Sequence, residues 1–333
     1  MRHGSRFLGA LGLLIALTLF GCDSAASTDA GPAADSGALG DAALGDAALV
    51  DAAAADAGAD GDGGAFDGGA SDGGASDGGV SDPTRALFVG NSYTFYNDLP
   101  NLYRSVAESL PTPPATVSVD SSTGGGRRLV QHVTDARTMG HPLHTALNTD
   151  VSWDHVVLQE QSQIPGFPEG NAEFDQSQLA AAELSGLANM RGASVVLFMT
   201  WGRRNGDDRN MALYPDFSTM QDRLEAGYRA MAADAEAAGV TALIAPVGLA
   251  FREVYESEAD PLAADALFFS LYDGDGSHPS LAGSYLAACV FAATMLDADA
   301  EAITFVPSGL DPGVASTLRS AAQAAVTAER ARP

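Results

Sequence analysis

Three residues of this chain have the chemistry and the sequence context of a nucleophilic catalytic apparatus. Ser92 follows the apolar run 86–89 and Gly90. Asp275 and His278 lie three residues apart in a glycine-rich turn near the other end of the chain. A serine hydroxyl is a weak nucleophile at neutral pH unless an imidazole accepts its proton, and a carboxylate fixes the tautomer of that imidazole. The residues therefore predict acyl transfer, with Ser92 as nucleophile, His278 as base and Asp275 as the partner of that base.

Each part of this pattern also has a purely structural interpretation. Ser92 alone is equally typical of a helix N-cap, because a serine oxygen accepts hydrogen bonds from the first amides of a helix. An Asp-x-x-His spacing alone occurs by chance in loops. Only the combination favours catalysis, and it requires two segments that are far apart in the chain to meet.

Short apolar segments alternate with amphipathic ones along the chain and predict the elements that position these side chains. The predicted strands are 86–89, 115–119, 153–159, 194–200 and 240–245. The predicted helices include 98–110, 173–190, 216–238, 249–256, 261–267, 281–295 and 311–330. This alternation predicts an α/β fold, with three α/β/α layers around a five-stranded parallel sheet. Ligand sites in such sheets lie beyond the carboxyl ends of the strands, where Ser92 is expected.

Two loops and one aromatic residue at the same edge are candidate binding groups. Gly124, Gly125 and Gly126 follow the second strand, and such bare backbone either forms a flexible turn or points amide hydrogens at a ligand. Their pattern is neither the phosphate-binding loop nor the dinucleotide-binding motif. The polar residues 160–163 follow the third strand and face either water or a cleft. Trp201 ends the fourth strand, and we favour a substrate-binding role over a core role because strand ends face the cleft.

The first 82 residues differ sharply in composition from the rest. Residues 1–22 combine two arginines with an apolar run and end in Leu-Phe-Gly-Cys, which resembles a bacterial lipoprotein signal peptide that is lipidated at Cys22. The alternative is an ordinary cleaved signal with a chance cysteine. Residues 23–82 are almost entirely Ala, Gly, Asp and Ser and predict a disordered tether. We therefore expect an exported protein, lipid-anchored to the bacterial cell envelope, with one globular domain at 83–333.

The acidic charge of the chain restricts its partners. The formal net charge is −26, and all 17 basic residues are arginines. The tether carries 13 aspartates and no basic residue, and two arginines precede it, which leaves a net charge of −15 on residues 83–333. Such a domain repels nucleic acid and anionic lipids, so we expect membrane contact only through the lipid anchor. The glycine–aspartate repeats of the tether recur every five residues rather than nine, which argues against a calcium-binding β-roll.

Three other residues have simple structural explanations. His141 and His144 are three residues apart, but no third metal ligand lies near them in the sequence, so a capping or solvent-exposed role is favoured over a metal site. Cys289 lies in an apolar segment and predicts buried packing rather than catalysis. With Cys22 lipidated, Cys289 has no disulfide partner.

Together these motifs resemble those of the SGNH (GDSL-like) hydrolases over essentially all of residues 84–333. The turn 90–92 resembles the nucleophile motif of that family, with asparagine where aspartate is common. The glycines 124–126 resemble its second motif, and 275–279 resembles its last. The third motif departs, because residues 161–163 read Gln-Ser-Gln where the family usually has Gly-x-Asn-Asp. The chain resembles a branch of the family with a Leu-Gln-Glu-Gln-Ser loop.

The resemblance implies a flavodoxin-like hydrolase domain that contains an oxyanion hole. The amide hydrogens of Ser92 and Gly125 are the implied backbone donors, with Gly126 as the alternative to Gly125. Counting along the third motif assigns the side-chain donor to Gln163, and Gln161 is the alternative. The resemblance implies neither a cofactor nor a metal, and the sequence is compatible with a monomer.

Three functions remain open at this point. The first is an O-acetylesterase acting on carbohydrate or on a similar small-acyl ester, where the sugar is implied by the family and by surface display rather than by any residue. The second is a lipase or thioesterase for longer acyl chains, which needs a long apolar cleft. The third is a non-catalytic, carbohydrate-binding surface lipoprotein, which the altered third motif would suggest.

Overall fold

A computed structural model describes residues 82–149 and 151–332 of the chain. The predicted signal peptide, the lipidation site Cys22 and the tether up to residue 81 lie outside the described residues. Within the described part, no helix combines the length and the apolar character that crossing a membrane requires.

The strands of the described residues form one parallel sheet with the order β2-β1-β3-β4-β5. They are β1 (Thr84–Gly90), β2 (Val117–Thr123), β3 (His155–Leu158), β4 (Ser194–Phe198) and β5 (Ala242–Ala245). This order confirms the predicted flavodoxin-like α/β fold. Because the strand order reverses at β1, the end of β1 lies where doubly wound sheets bind their ligands.

Helices cover both faces of the sheet. They are α1 (Ser92–Phe95), α2 (Leu99–Glu108), α3 (Leu129–Arg137), α4 (Pro142–Asn148), α5 (Ala172–Asn189), α6 (Phe217–Ala237), α7 (Val247–Ser257), α8 (Leu267–Ser270), α9 (Leu281–Leu296) and α10 (Pro312–Arg330). Short 3-10 turns lie at Tyr96–Asp98, Ile164–Gly166, Asp208–Asn210 and Ala300–Ala302. Helices α2, α7, α9 and α10 pack on one face, and α3 to α6 pack on the other. The predicted three-layer arrangement is therefore confirmed.

The two hydrophobic cores follow from the alternation of side chains along the strands. Ala86 and Phe88 of β1 belong to the core under α2 and α9. Leu87 and Val89 belong to the core under α3 and α5. Because both faces are covered, β1 reads in the sequence as a continuous apolar run. Cys289 of α9 is fully buried, as predicted, and burial raises the pKa of its thiol to about 12.

Most element boundaries differ from the prediction by a few residues, and three differences are larger. Strand β2 continues to Thr123 instead of ending at 119, because its backbone pairs with β1 while its polar side chains lie at the sheet edge. Helix α4 has no predicted counterpart; it begins with Pro142, whose ring suits the first helical position. The predicted helix 261–267 is wrong, because residues 261–266 form turns and bends. Helix α8 begins only at Leu267, where the Glu258 carboxylate accepts the amide hydrogen of Leu267 at 2.7 Å.

Candidate active site

The predicted nucleophile, base and carboxylate lie side by side beyond the end of β1. Ser92 Oγ is 2.8 Å from His278 Nε2, and His278 Nδ1 is 2.5 Å from Asp275 Oδ2. Burial raises the pKa of Asp275, but hydrogen bonds from His278 and from the Ser277 and His278 amides outweigh it and lower the pKa overall. An ionised Asp275 accepts the Nδ1 hydrogen of the imidazole, which leaves Nε2 to accept the proton of Ser92.

Helix α1 is capped by Asn91 rather than by Ser92. Asn91 Oδ1 accepts the amide hydrogen of Tyr93 at 3.1 Å. The Ser92 hydroxyl faces His278 instead, so the interpretation of Ser92 as a capping residue is excluded. Asn91 Nδ2 also donates to the carbonyl of Arg127 at 2.9 Å. The same side chain therefore joins the nucleophile turn to the loop that carries the three glycines.

Two buried polar side chains hold the nucleophile turn in place. Gln159 is fully buried, and its Oε1 accepts from Asn91 N at 2.8 Å and from Thr94 Oγ1 at 2.9 Å. His132 is also fully buried, and its Nε2 donates to the carbonyl of Gly90 at 2.9 Å. A Cβ on Gly90 would lie 2.5 Å from Gln159 Oε1, so the turn requires glycine there. Sequence analysis missed both roles; the only signal was a glutamine at the end of an apolar strand.

His132 leads to a prediction about the pH dependence of stability. Burial lowers the pKa of His132 from 6.5 to about 4 in the folded protein. Below pH 6.5 the unfolded chain binds a proton at this residue and the folded chain does not, so stability falls as the pH decreases until about pH 4. The total loss is on the order of 3 kcal/mol.

We expect His132→Gln to flatten the dependence of the free energy of unfolding on pH between 6.5 and 4, as measured by urea titration. Burial also lowers the pKa of His155. His155 is present in both the wild type and this variant, so it contributes to the pH dependence of both. An unaltered pH dependence in His132→Gln would contradict the buried neutral imidazole.

The loop 124–126 presents free backbone amides to the same cavity as Ser92. Gly125 and Gly126 line this cavity, and Gly126 has a φ of +64°, which favours glycine. Among the described residues, neither the Gly125 amide nor the Ser92 amide donates to a protein acceptor. Both amides therefore remain candidates for the predicted oxyanion hole.

The structure separates the two candidate glutamines of the third motif. Gln163 directly precedes the 3-10 turn Ile164–Gly166, and its side-chain amide donates to the carboxylate of Asp207. The prediction that Gln163 faces the site is therefore wrong. Gln161 lines the cavity instead. Its Oε1 accepts from the Gln163 amide at 2.8 Å, and its Nε2 donates to Gln163 Oε1 at 3.3 Å.

Trp201 lies beneath the site and is fully buried. Its ring stacks between Tyr93 and Phe251, with ring centroids 4.7 and 4.5 Å apart, and its Nε1 donates to Ser277 O at 3.0 Å. The prediction of a substrate platform is wrong, because helix α1 and the turn before His278 cover the end of β4. Trp201 supports that turn from below.

The cavity above Ser92 has a volume of about 450 Å³ and is lined by polar side chains, two glycines and three aromatic rings. Arg203 lies in the loop after Trp201; it lines the cavity and pairs with Asp207 at 2.7 Å. Tyr96 also lines it and stacks on the imidazole of His278. Nothing in the sequence indicated a role for Tyr96.

The two remaining histidine candidates have structural roles. His141 Nδ1 accepts the amide hydrogen of Leu143 at 3.2 Å and caps α4, which confirms the capping interpretation. His144 Nδ1 donates to Ala136 O at 2.8 Å. No group of three or more His, Cys, Asp or Glu side chains suited to a metal ion occurs within 82–149 and 151–332.

Comparison with known proteins finds similar solved structures, whereas no protein-family model and no curated protein sequence matches the chain. A protein of Slackia heliotrinireducens assigned to the SGNH hydrolases is 31% identical; the match covers 64% of this chain and 100% of that chain, with a TM-score of 0.49. A DUF4886 family protein from Bacteroides uniformis is 19% identical over 74% of this chain and 95% of that chain, with a TM-score of 0.56. Axe2, an acetylxylan esterase from Geobacillus stearothermophilus, is 15% identical over 65% and 95% of the two chains, with a TM-score of 0.43. The similarity to the Bacteroides uniformis protein shows the fold. The match to the Slackia heliotrinireducens protein covers the whole of that protein.

Proposed function

This chain belongs to the SGNH hydrolases, a family of ester-bond hydrolases, and we propose that it is a serine esterase acting through Ser92, His278 and Asp275. The observation that carries the proposal is the unbroken path of hydrogen bonds from Ser92 Oγ through the imidazole to the Asp275 carboxylate. The alternative of a non-catalytic binding protein has no comparable support, because a surface without catalysis does not require this alignment.

The proposed reaction has two acyl-transfer steps. Ser92 Oγ attacks the ester carbon while its proton passes to His278 Nε2, and the imidazolium then protonates the alcohol as its C–O bond breaks. Water next attacks the acyl-enzyme, its proton passes to the same nitrogen, and that proton returns to Ser92 Oγ as the acid leaves. Asp275 fixes the tautomer of the imidazole and stabilises its positive charge.

The oxyanion that forms in each step needs hydrogen-bond donors. We assign this role to the amides of Ser92 and Gly125 and to the side chain of Gln161. Gln161→Ala is expected to lower kcat by about 10²- to 10³-fold, because the loss of one such donor costs about 3–4 kcal/mol in the transition state. Steady-state kinetics on p-nitrophenyl acetate measure this loss.

Gln163→Ala is the matched control for Gln161→Ala. Asp207 is 1% exposed and loses a hydrogen-bond donor in this variant, so we expect a lower melting temperature and a smaller loss of kcat. A larger loss of kcat in Gln163→Ala than in Gln161→Ala would return the oxyanion role to Gln163.

The lining of the cavity supports a small acyl group. Most of the residues that line the wall are polar or glycine, and the aromatic surface is confined to the rings of Tyr93, Phe95 and Tyr96. A long alkyl chain needs an extended apolar groove, which this lining does not provide. In a chain-length series of p-nitrophenyl esters, we expect kcat/KM to be highest for acetate and to fall steadily toward octanoate. A rise with chain length would favour a lipase or thioesterase.

The proposed natural substrate is an O-acetylated carbohydrate. This choice rests on the family and on the predicted display of the protein at the cell envelope, to which Cys22 would anchor it. Release of acetate from acetylated oligosaccharides by the purified protein tests the substrate. Incorporation of labelled palmitate into the wild type but not into Cys22→Ala tests the anchor.

A further inference from the structure

The ring of Tyr96 covers one face of the His278 imidazole. The ring centroids are 4.3 Å apart, and the planes differ by 13°. Both imidazole nitrogens already have partners in the ring plane, at Ser92 and Asp275. Among the described residues, the Tyr96 hydroxyl makes no hydrogen bond, so the ring rather than the hydroxyl makes the contact with the base.

The backbone after Tyr96 is in an unfavourable conformation next to this contact. Asn97 and Asp98 have φ values of +52° and +53°, a region that is uncommon outside glycine, although asparagine and aspartate adopt it more readily than other residues. Asn97 Nδ2 donates to Pro279 O at 3.0 Å and to Ser284 Oγ at 2.9 Å. These bonds tie the segment after the nucleophile to the segment after the base. Two such residues in succession, held by these hydrogen bonds beside a reactive group, indicate that the conformation serves the site and positions Tyr96.

We propose that Tyr96 is a positioning residue that stabilises the protonated form of His278 during acyl transfer. The proposal rests on the proposed esterase function. When Ser92 attacks the ester, its proton passes to His278 Nε2, and the imidazole becomes a cation. The face of an aromatic ring is negative and attracts a cation within about 6 Å of its centroid. Tyr96 therefore favours the charged intermediate over the neutral resting base, and such a difference between states accelerates a reaction.

The neighbouring aromatic residues make different contacts with the base. Tyr93 meets His278 edge-on, with ring centroids 5.6 Å apart and planes at 67°, and its hydroxyl pairs with Ser277 Oγ at 2.7 Å. Phe95 lines the same cavity and is 42% exposed, but its ring contacts Tyr96. Phe95 is therefore a matched control for Tyr96.

The test compares Tyr96→Leu, Tyr96→Phe and Phe95→Leu in the full chain, with p-nitrophenyl acetate over the pH range of activity. Tyr96→Leu is expected to lower kcat by about 3- to 30-fold with little change in KM. It should also move the acid-side midpoint of the pH profile of kcat to lower pH, because the loss of the ring favours the neutral imidazole. Tyr96→Phe should keep the wild-type midpoint, and so should Phe95→Leu. Wild-type kcat and midpoint in Tyr96→Leu would overturn the proposal.

A second variant keeps the test decisive if Tyr96→Leu lowers the melting temperature. Incorporation of 3,4,5-trifluorophenylalanine at position 96 preserves the ring but weakens its negative face, so kcat and the midpoint should lie between those of Tyr96→Phe and Tyr96→Leu. Values equal to those of Tyr96→Phe would overturn the electrostatic role.

Ser92→Ala in the same assay separates the two proposals. Retained turnover in Ser92→Ala would overturn the esterase function, whereas an inactive Ser92→Ala beside a fully active Tyr96→Leu would overturn only the role of Tyr96.

Discussion

Ser92→Ala is expected to lower kcat for p-nitrophenyl acetate by about 10⁶-fold, because removal of the nucleophile of a serine triad leaves only binding and oxyanion stabilisation. The Ser92 side chain is half-buried, and its hydroxyl bonds to His278 rather than capping α1, so the melting temperature should not change. Stopped-time assays at high enzyme concentration measure the residual rate.

Ser162→Ala is the matched control for this loss. Ser162 lines the same cavity, but its hydroxyl accepts a hydrogen bond from Arg203 at 3.3 Å. We expect it to retain most of the wild-type kcat. Comparable turnover by Ser92→Ala and the wild type would show that another group is the nucleophile.

Asp275→Asn should give the second largest effect, a loss of about 10⁴-fold in kcat. An asparagine amide that donates to His278 Nδ1 forces the imidazole proton onto Nε2. A protonated Nε2 can no longer accept the proton of Ser92. The Asp275 side chain is 49% exposed, so water screens its charge, and we attribute the loss chiefly to the tautomer. The pH profile of kcat, measured together with the melting temperature, reports the change.

Asp273→Asn is the control for Asp275→Asn. Asp273 lies in the same turn and is exposed, and its Oδ1 accepts the amide hydrogen of Gly274 at 2.8 Å. This variant removes one carboxylate from the turn and leaves the imidazole tautomer unchanged, so kcat should stay within a few-fold of the wild type. Equal losses in the two variants would indicate a general effect of charge rather than a tautomer effect.

The fold and the three central residues follow from local sequence signals. The apolar run 86–89 is buried on both faces, so the strand is evident from composition alone. The close contact with Gln159 requires glycine at position 90. In the sequence, a glycine directly after the apolar run indicates the turn from strand to helix. The Asp-x-x-His spacing fits one turn, so Asp275 and His278 can be paired without knowledge of the rest of the fold.

The wrong or missing predictions share one cause. The direction of a side chain depends on contacts with residues that are distant in the sequence. Counting along the third motif favours Gln163, but the turn after it directs its amide to Asp207, which is more than forty positions away in the chain. Trp201 follows a strand whose end is covered by other segments, and burial of its ring is decided by those segments. His132 and Tyr96 have ordinary local contexts, and their roles arise only where α3 and the 3-10 turn after α1 meet the segments that carry Gly90 and His278.

The central claim is that Ser92 is a nucleophile activated by its neighbours, and labelling by a fluorophosphonate probe tests it most directly. The probe reacts covalently with an activated serine, and peptide mapping by mass spectrometry identifies the modified residue. The account predicts one label per folded chain, located on Ser92, and no label in Ser92→Ala or in protein unfolded by urea. Folded protein that remains unlabelled, or that carries its label on a different serine, would contradict it.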